Sequence, residues 1–101
     1  MNRREDFQKK LSAIPGVRKA YYNPPTNIRM EYPCIRYSRA NEQVRFACNG
    51  RFVTRDRYTL TLIDRNPESP ILRALEEFPY YSFDRMYSAD GLYHFVCTIY
   101  Y

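Results

Sequence analysis

The sequence predicts an α+β domain: a mostly antiparallel, mixed sheet of about five strands with two helices packed on one face, in the order α-β-β-β-α-β-β. Two segments carry apolar residues at helical spacing, other segments alternate with a period of two, and Asn-Gly and Asp-Gly pairs mark tight hairpins. The 101 residues, 45% of them hydrophobic, suffice for one core, so we expect residues 1–101 to form a single domain.

The first helix is predicted to begin at Asn2, which can cap it, with Glu5 placed three residues later as in a capping box. Three apolar residues then recur at i, i+4 and i+7 and form one stripe: Phe7, Leu11 and Ile14. Pro15-Gly16 ends the helix, because proline cannot continue it and glycine accepts the left-handed position that follows.

A short strand is predicted from Val17 to Tyr22, followed by the connection NPPTNIRMEYP over residues 23–33. Its three prolines disfavour a central strand and favour an extended segment. We expect this segment to cross the surface, with a docking ledge for a neighbour as the alternative.

Two longer strands, Cys34 to Phe46 and Phe52 to Asp64, are predicted to form a hairpin around Asn49-Gly50. The second strand has two distinct faces, Tyr58, Leu60 and Leu62 on one and Thr59, Thr61 and Ile63 on the other. The segments next to the turn are too polar to cover a core, so the hairpin tip is predicted to project from the body.

The second helix is predicted to follow a cap at Asn66 or Ser69, with Pro67 and Pro70 in its first turn. Four residues form its apolar face, and Pro79 closes it: Ile71, Leu72, Leu75 and Phe78.

Asp90-Gly91 predicts a type I′ turn between the last two strands, Ser82–Ser88 and Leu92–Tyr101. On the last strand one face carries Phe95, Cys97 and Ile99, and the other carries His94, Val96 and Thr98.

Composition limits the possible functions. The net charge is +5, and 13 of the 16 basic residues are arginine, which suits forked recognition of phosphate or carboxylate on nucleic acid or protein. No apolar run could span a membrane, and no signal peptide is evident. The cysteines Cys34, Cys48 and Cys97 lack a CxxC spacing, so a reducing compartment is expected, with Cys34 and Cys97 as small buried apolar residues.

No catalytic motif is present. His94 is the single histidine, and the three glycines form no phosphate-binding loop. No short motif gathers the aspartates Asp56, Asp64, Asp84 and Asp90 into a metal site. We therefore expect no enzymatic activity, no cofactor and no metal.

Arginine and tyrosine are enriched at the energetic centre of protein interfaces, and the last twenty-two residues hold more tyrosines than one core can bury. The sequence thus predicts an assembly surface. Its candidate residues come from the projecting hairpin and the last two strands: Arg45, Phe46, Arg51, Phe52, Arg55, Arg57, Tyr80, Tyr81, Arg85, Tyr87, Tyr93, Tyr100 and Tyr101.

Three segments, NPPTNIRMEYPCIRY, RDRYTLTLIDRNPES and PYYSFDRMYSADGLYHFVCTIYY, resemble in order and spacing the tail terminator (tail completion) proteins of long-tailed, non-contractile bacteriophages. The likeness covers nearly the whole chain and is weakest in the first twenty residues and in Ala40–Thr54. Residues 62–67 and the ending from Phe83 to Tyr101 are its most specific parts.

The resemblance implies a virion protein, assembled in the bacterial cytoplasm, that forms a hexameric ring on the head-proximal end of the tail tube. The ring would stop tube polymerisation and dock to the head connector, while DNA passes through its lumen without tight binding. The implied partners are other copies of the chain, the tail tube protein and the connector protein. The family supplies no catalytic residues.

The competing hypothesis is a small basic RNA-binding protein or an endoribonuclease toxin. Such folds also place helices before a curved sheet. Its candidate residues are Arg85, Tyr87 and His94.

Overall fold

The computed structural model describes residues 3–25, 27–48 and 51–101, and the side chains of residues 41–54 lie outside this description. In the described part of the chain, two helices and five strands follow the predicted order: α1 (Arg3–Ser12), β1 (Lys19–Tyr22), β2 (Cys34–Cys48), β3 (Arg51–Asp64), α2 (Pro70–Glu76), β4 (Tyr81–Ala89) and β5 (Leu92–Tyr100).

The strands form one sheet in the order β1-β2-β3-β5-β4. β1 runs parallel to β2, and the other neighbouring pairs are antiparallel. The predicted α+β class with a mostly antiparallel, mixed sheet is therefore confirmed. β1 and β4 are the two edge strands.

The main core lies on one face of the sheet. One of the two predicted faces of β3, formed by Tyr58, Leu60 and Leu62, is fully buried there. Through the strand registers these residues adjoin alternate positions of the neighbouring strands, including Ile35 of β2 and Cys97 of β5. The helices contribute four buried side chains to the same cluster: Phe7, Leu11, Ile71 and Leu75.

A smaller cluster lies on the opposite face, where Tyr21, Cys34 and Ile63 are buried together. Met30 and Tyr32 of the proline-rich connection pack against it. The connection between the parallel strands β1 and β2 thus crosses this face of the sheet and covers one corner of it.

The helix ends follow from local backbone chemistry. Gly16 has φ +95°, which is the left-handed conformation expected after α1. Ser69 caps α2, since its Oγ accepts a hydrogen bond from the Ile71 N–H at 3.3 Å, and Pro70 occupies the first turn. Of the two predicted caps, Ser69 is therefore the one used, whereas the predicted cap Asn2 of α1 lies outside the described residues.

Some predicted strand bounds shift. β1 begins at Lys19 rather than Val17, because the Val17 N–H donates to the Ile14 carbonyl in the turn after α1. β2 and β3 extend to the Cys48–Arg51 pair, while the predicted turn residues Asn49 and Gly50 lie outside the description. Asp90 (φ 56°) and Gly91 (φ 74°) both have the positive φ of the predicted type I′ turn.

Candidate assembly surface

The hairpin of β2 and β3 continues past the rest of the sheet. β3 pairs with β5 from Asp64 to Arg57, after which Asp56 and Tyr101 exchange backbone hydrogen bonds of 3.1 and 2.9 Å. Within the described residues, residues 44–48 pair only with residues 51–55 across the hairpin. We call this two-stranded ribbon the arm.

The arm leaves the body at an irregularity in the strand pairing. The register is regular up to Arg39–Tyr58 and resumes at Gln43–Asp56, so residues 40–42 stand opposite Arg57 alone. Such extra residues bend a strand and increase its twist. An ion pair between Arg39 and Asp56, at 3.8 Å, spans this junction.

The arm makes the molecule elongated, with extents of 47 × 26 × 23 Å. The Cα radius of gyration is 14.0 Å, whereas a compact chain of this length has about 13 Å. A two-stranded ribbon is at best marginally stable by itself in water. Among the described strand segments, the arm is therefore the part of the sheet with the fewest neighbouring strands.

Six of the predicted assembly residues lie in the arm or next to it. Four of them have side chains outside the description: Arg45, Phe46, Arg51 and Phe52. At its base the Arg55 guanidinium lies over the Tyr80 ring, 5.0 Å from its centroid, and Arg57 stands opposite Tyr100 in the sheet. The base of the arm therefore contacts Tyr80, which directly precedes β4, and lies next to Tyr100, the last residue of β5.

β4 is an edge strand with little burial on either face, since every residue from Ser82 to Ala89 is exposed. Among its large side chains, Phe83 and Met86 are each 48% exposed and Tyr87 is 43% exposed. A register shift between Phe83 and Arg85 places Phe83 opposite Cys97 and Met86 opposite Phe95. Phe83 and Met86 were not predicted as assembly residues. Residues three apart lie on opposite faces of a regular strand, so two large apolar residues at this spacing could have indicated the bulge.

Several predicted assembly tyrosines also contribute to intramolecular packing. Tyr81, Tyr93 and Tyr101 are half-buried against the main core. Tyr101 stacks on Phe7 at 4.8 Å between ring centroids, and its hydroxyl donates to the Asp6 carboxylate. Tyr101 therefore holds α1 against the sheet within one chain.

Arg85, Tyr87 and His94, the candidates of the competing hypothesis, lie together. Tyr87 and His94 are cross-strand partners whose rings stack at 4.6 Å with a 7° interplanar angle. The Arg85 guanidinium lies 5.9 Å from the Tyr87 ring centroid. Among the described residues, the buried His94 Nδ1 has no hydrogen-bond partner, so none of their carboxylates or carbonyls orients this ring as one usually does in a catalytic histidine.

The buried cysteines have the predicted structural role. Cys34 and Cys97 are 0% exposed and carry free thiols. Burial raises the pKa of Cys34 to about 11 and that of Cys97 to about 12. These thiols are therefore poor nucleophiles at neutral pH.

In the described part of the chain, no three His, Cys, Asp or Glu side chains are grouped so that they could hold a metal ion. Nor does any helix there combine the length and the hydrophobicity of a membrane span. No protein-family model and no curated protein matches this chain.

Proposed function

We propose that this protein is a structural virion component: a tail terminator that forms a ring on the head-proximal end of a phage tail tube. The projecting arm is the observation that carries the proposal. A polar two-stranded ribbon that extends from a well-packed body gains its missing contacts when it lies on a neighbouring molecule. The resemblance of the sequence to tail terminators supplies the type of neighbour.

The edge strands support the same proposal. β4 presents an edge with exposed apolar side chains on both faces, including Met86 and Tyr87. β1 at the opposite edge is only four residues long and leaves much of β2 uncovered. Different surfaces at opposite edges suit a heterologous contact, which closes into a ring when the rotation between copies permits it.

In this mechanism, ring closure makes all subunit contacts simultaneously, so interfaces of about 1,200–2,000 Å² suffice for stability. The arm contacts the tube or the adjacent subunit, and its arginines Arg45, Arg51, Arg55 and Arg57 meet acidic groups there. The completed ring blocks further tube growth and presents its other side to the head connector. DNA passes without strong phosphate contacts, since each neutralised phosphate adds salt-sensitive affinity that would oppose sliding.

Shortening the arm tests this function. In the variant, Ala47–Phe52 is replaced by Asn-Gly, which removes the tip of the ribbon and keeps the Phe46–Val53 pair beside the new turn. We expect the body to remain folded by circular dichroism, while phage assembly yields tails of irregular length that do not join heads. Tails of normal length and normal head joining with this variant would contradict the proposal.

RNA binding or cleavage is the second candidate, and the Arg85–Tyr87–His94 stack favours it. Arginine and aromatic side chains on an open sheet can stack against bases. The discriminating variant is His94→Ala, assayed for cleavage of a mixed RNA pool. Cleavage by the unaltered protein that disappears in His94→Ala would support this candidate, whereas a ring subunit should show no cleavage in either form.

A further inference from the structure

Three arginines from separate segments surround one surface cavity of about 520 Å³. Arg18 directly precedes β1, Arg29 belongs to the proline-rich connection, and Arg65 directly follows β3. The remaining lining residues are Ile28, Met30, Glu31 and Tyr32. We call this cavity the arginine pocket.

The positive charge of the arginine pocket is not neutralised by an ion pair with any described residue. Arg18, Arg29 and Arg65 are exposed, and among the described residues none of them forms an ion pair. Glu31 is the one acidic side chain that lines the cavity, so positive charge is in excess. Guanidinium groups bind carboxylate or phosphate through paired hydrogen bonds, and this arrangement therefore suits an anionic group from outside the chain.

The same chain has a second surface of opposite charge on and beside α2. Glu68, Glu76 and Glu77 are exposed and form no ion pair with a described residue. Glu68 and Glu76 line a cavity of about 660 Å³ that also includes Arg73, the one basic residue in its lining. We call the three glutamates the α2 acidic surface.

The two surfaces lie on different elements of the chain. Arg18 adjoins the edge strand β1 and Arg65 follows the central strand β3, whereas α2 contacts the edge strand β4 and packs its Ile71 side chain beside Gly16. Glu68 lies three residues after Arg65, but no ion pair joins them. Among the described residues, the two charge sets therefore form no ion pair with each other.

We infer that the arginine pocket of one copy binds the α2 acidic surface of the next copy, so that this charge pairing sets the head-to-tail direction of assembly. The inference rests on the proposed function, which requires a heterologous contact between copies. Complementary charges at such a contact guide orientation and exclude the reversed pairing, in which like charges would meet.

A second copy is favoured over nucleic acid as the occupant for two reasons. The chain itself supplies carboxylates, those of Glu68, Glu76 and Glu77, that form no ion pair with a described residue. The three arginines also surround a single cavity, whereas nucleic-acid binding uses a continuous basic track along the strand.

Charge exchange tests the inference. One variant carries Arg29→Glu and Arg65→Glu, a second carries Glu76→Arg and Glu77→Arg, and a third carries all four substitutions. Sedimentation velocity over a concentration series, alone and with purified tail tubes, measures association at low and at physiological salt. A control for the first variant, Lys9→Glu with Arg36→Glu, makes the same change in net charge at other exposed positions.

We expect each double variant to associate at least about tenfold more weakly than the unaltered protein, since like charges then meet at the contact. The fourfold variant should recover association, and so should an equimolar mixture of the two doubles, while the control should change little. Unchanged association of the doubles, or no recovery in the fourfold variant, would overturn the inference and leave the proposed function standing.

Two further outcomes bear on the inference and on the proposed function. If the unaltered protein associates neither with itself nor with tubes, both the inference and the proposed function fail. If Arg29→Glu with Arg65→Glu loses binding to a labelled single-stranded DNA while self-association is unchanged, the pocket binds nucleic acid and the inference is overturned.

Discussion

Burial controls the chemistry of the two core cysteines. Cys97 lies on the inward face of β5, opposite Leu60, and Cys34 lies in the smaller cluster on the other face. Both thiols are removed from water, and desolvation raises the pKa because it disfavours the thiolate. Their role at the residue scale is to fill space rather than to react.

The thiols should therefore react slowly in the folded protein. In a Cys48→Ser background, which leaves Cys34 and Cys97 as the only thiols, we expect disulfide-exchange reagents at pH 8 to react at least about 100-fold more slowly than in urea. The time course of reagent release, followed by absorbance, measures this rate. Rapid reaction of either thiol in the folded protein would contradict the burial described above.

The same burial predicts a dependence of stability on alkaline pH. The folded-state pKa values of about 11 and about 12 lie above the ordinary value of 9.0, so the unfolded chain loses these protons first. The contribution to the free energy of unfolding is complete below pH 9 and is lost as the pH rises toward 11–12. Urea unfolding of the same Cys48→Ser protein at pH 8, 9.5 and 10.5 should show a falling midpoint; a constant midpoint would contradict this account.

At the scale of elements, α2 depends on a few buried side chains. Leu75 is 0% exposed and Ile71 is 2% exposed, and both join the core cluster beneath the helix. A helix of seven residues is too short to be stable alone. Its stability therefore comes from this packing and from the Ser69 cap.

Leu75→Asp should unfold the domain, since it replaces core packing with a buried charge that has no partner. We expect a loss of more than about 4 kcal/mol, which exceeds or approaches the total stability of many domains of this size. Far-UV circular dichroism and urea titration measure the effect.

The matched control is Arg73→Asp, an exposed position on the same helix that should lose less than about 1 kcal/mol. A soluble, cooperatively unfolding Leu75→Asp protein would show that α2 is not held by the core.

The sequence was sufficient to predict most elements because their signals are local. Alternation separated the two faces of β3, and Asp90-Gly91 identified the last hairpin, since both depend on residues next to each other. The bulge opposite Arg57 and the position of Tyr101 were not predictable in this way. The Tyr101 hydroxyl meets Asp6, which is 95 residues away in the sequence, so only the folded arrangement brings them together.

The candidate site was predictable in part. Polar residues flanking Asn49-Gly50 indicated a projecting hairpin, and the arm follows the same segment. The exposure of Phe83 and Met86 depends on β4 being an edge strand, which local pattern does not reveal. The arginine pocket likewise combines Arg18, Arg29 and Arg65 from three segments, and no short motif contains them.

At the scale of the whole molecule, the features of the surface suit an oligomer more than an isolated subunit. The arm extends beyond the body, β4 presents apolar side chains at one edge, and the charges of the arginine pocket and the α2 acidic surface form no ion pairs with described residues. In the proposed head-to-tail ring of identical copies on a tube, each of these features would contact a neighbouring molecule.

The central claim is that this protein terminates a tail tube by binding one of its ends. The most direct measurement is negative-stain imaging of purified tail tubes mixed with the protein, with light scattering to give the mass of the protein alone. We expect extra density at one end of each tube, or a ring-sized species in solution, and neither with the arm-shortened variant. A strictly monomeric protein that leaves both tube ends bare would contradict the account.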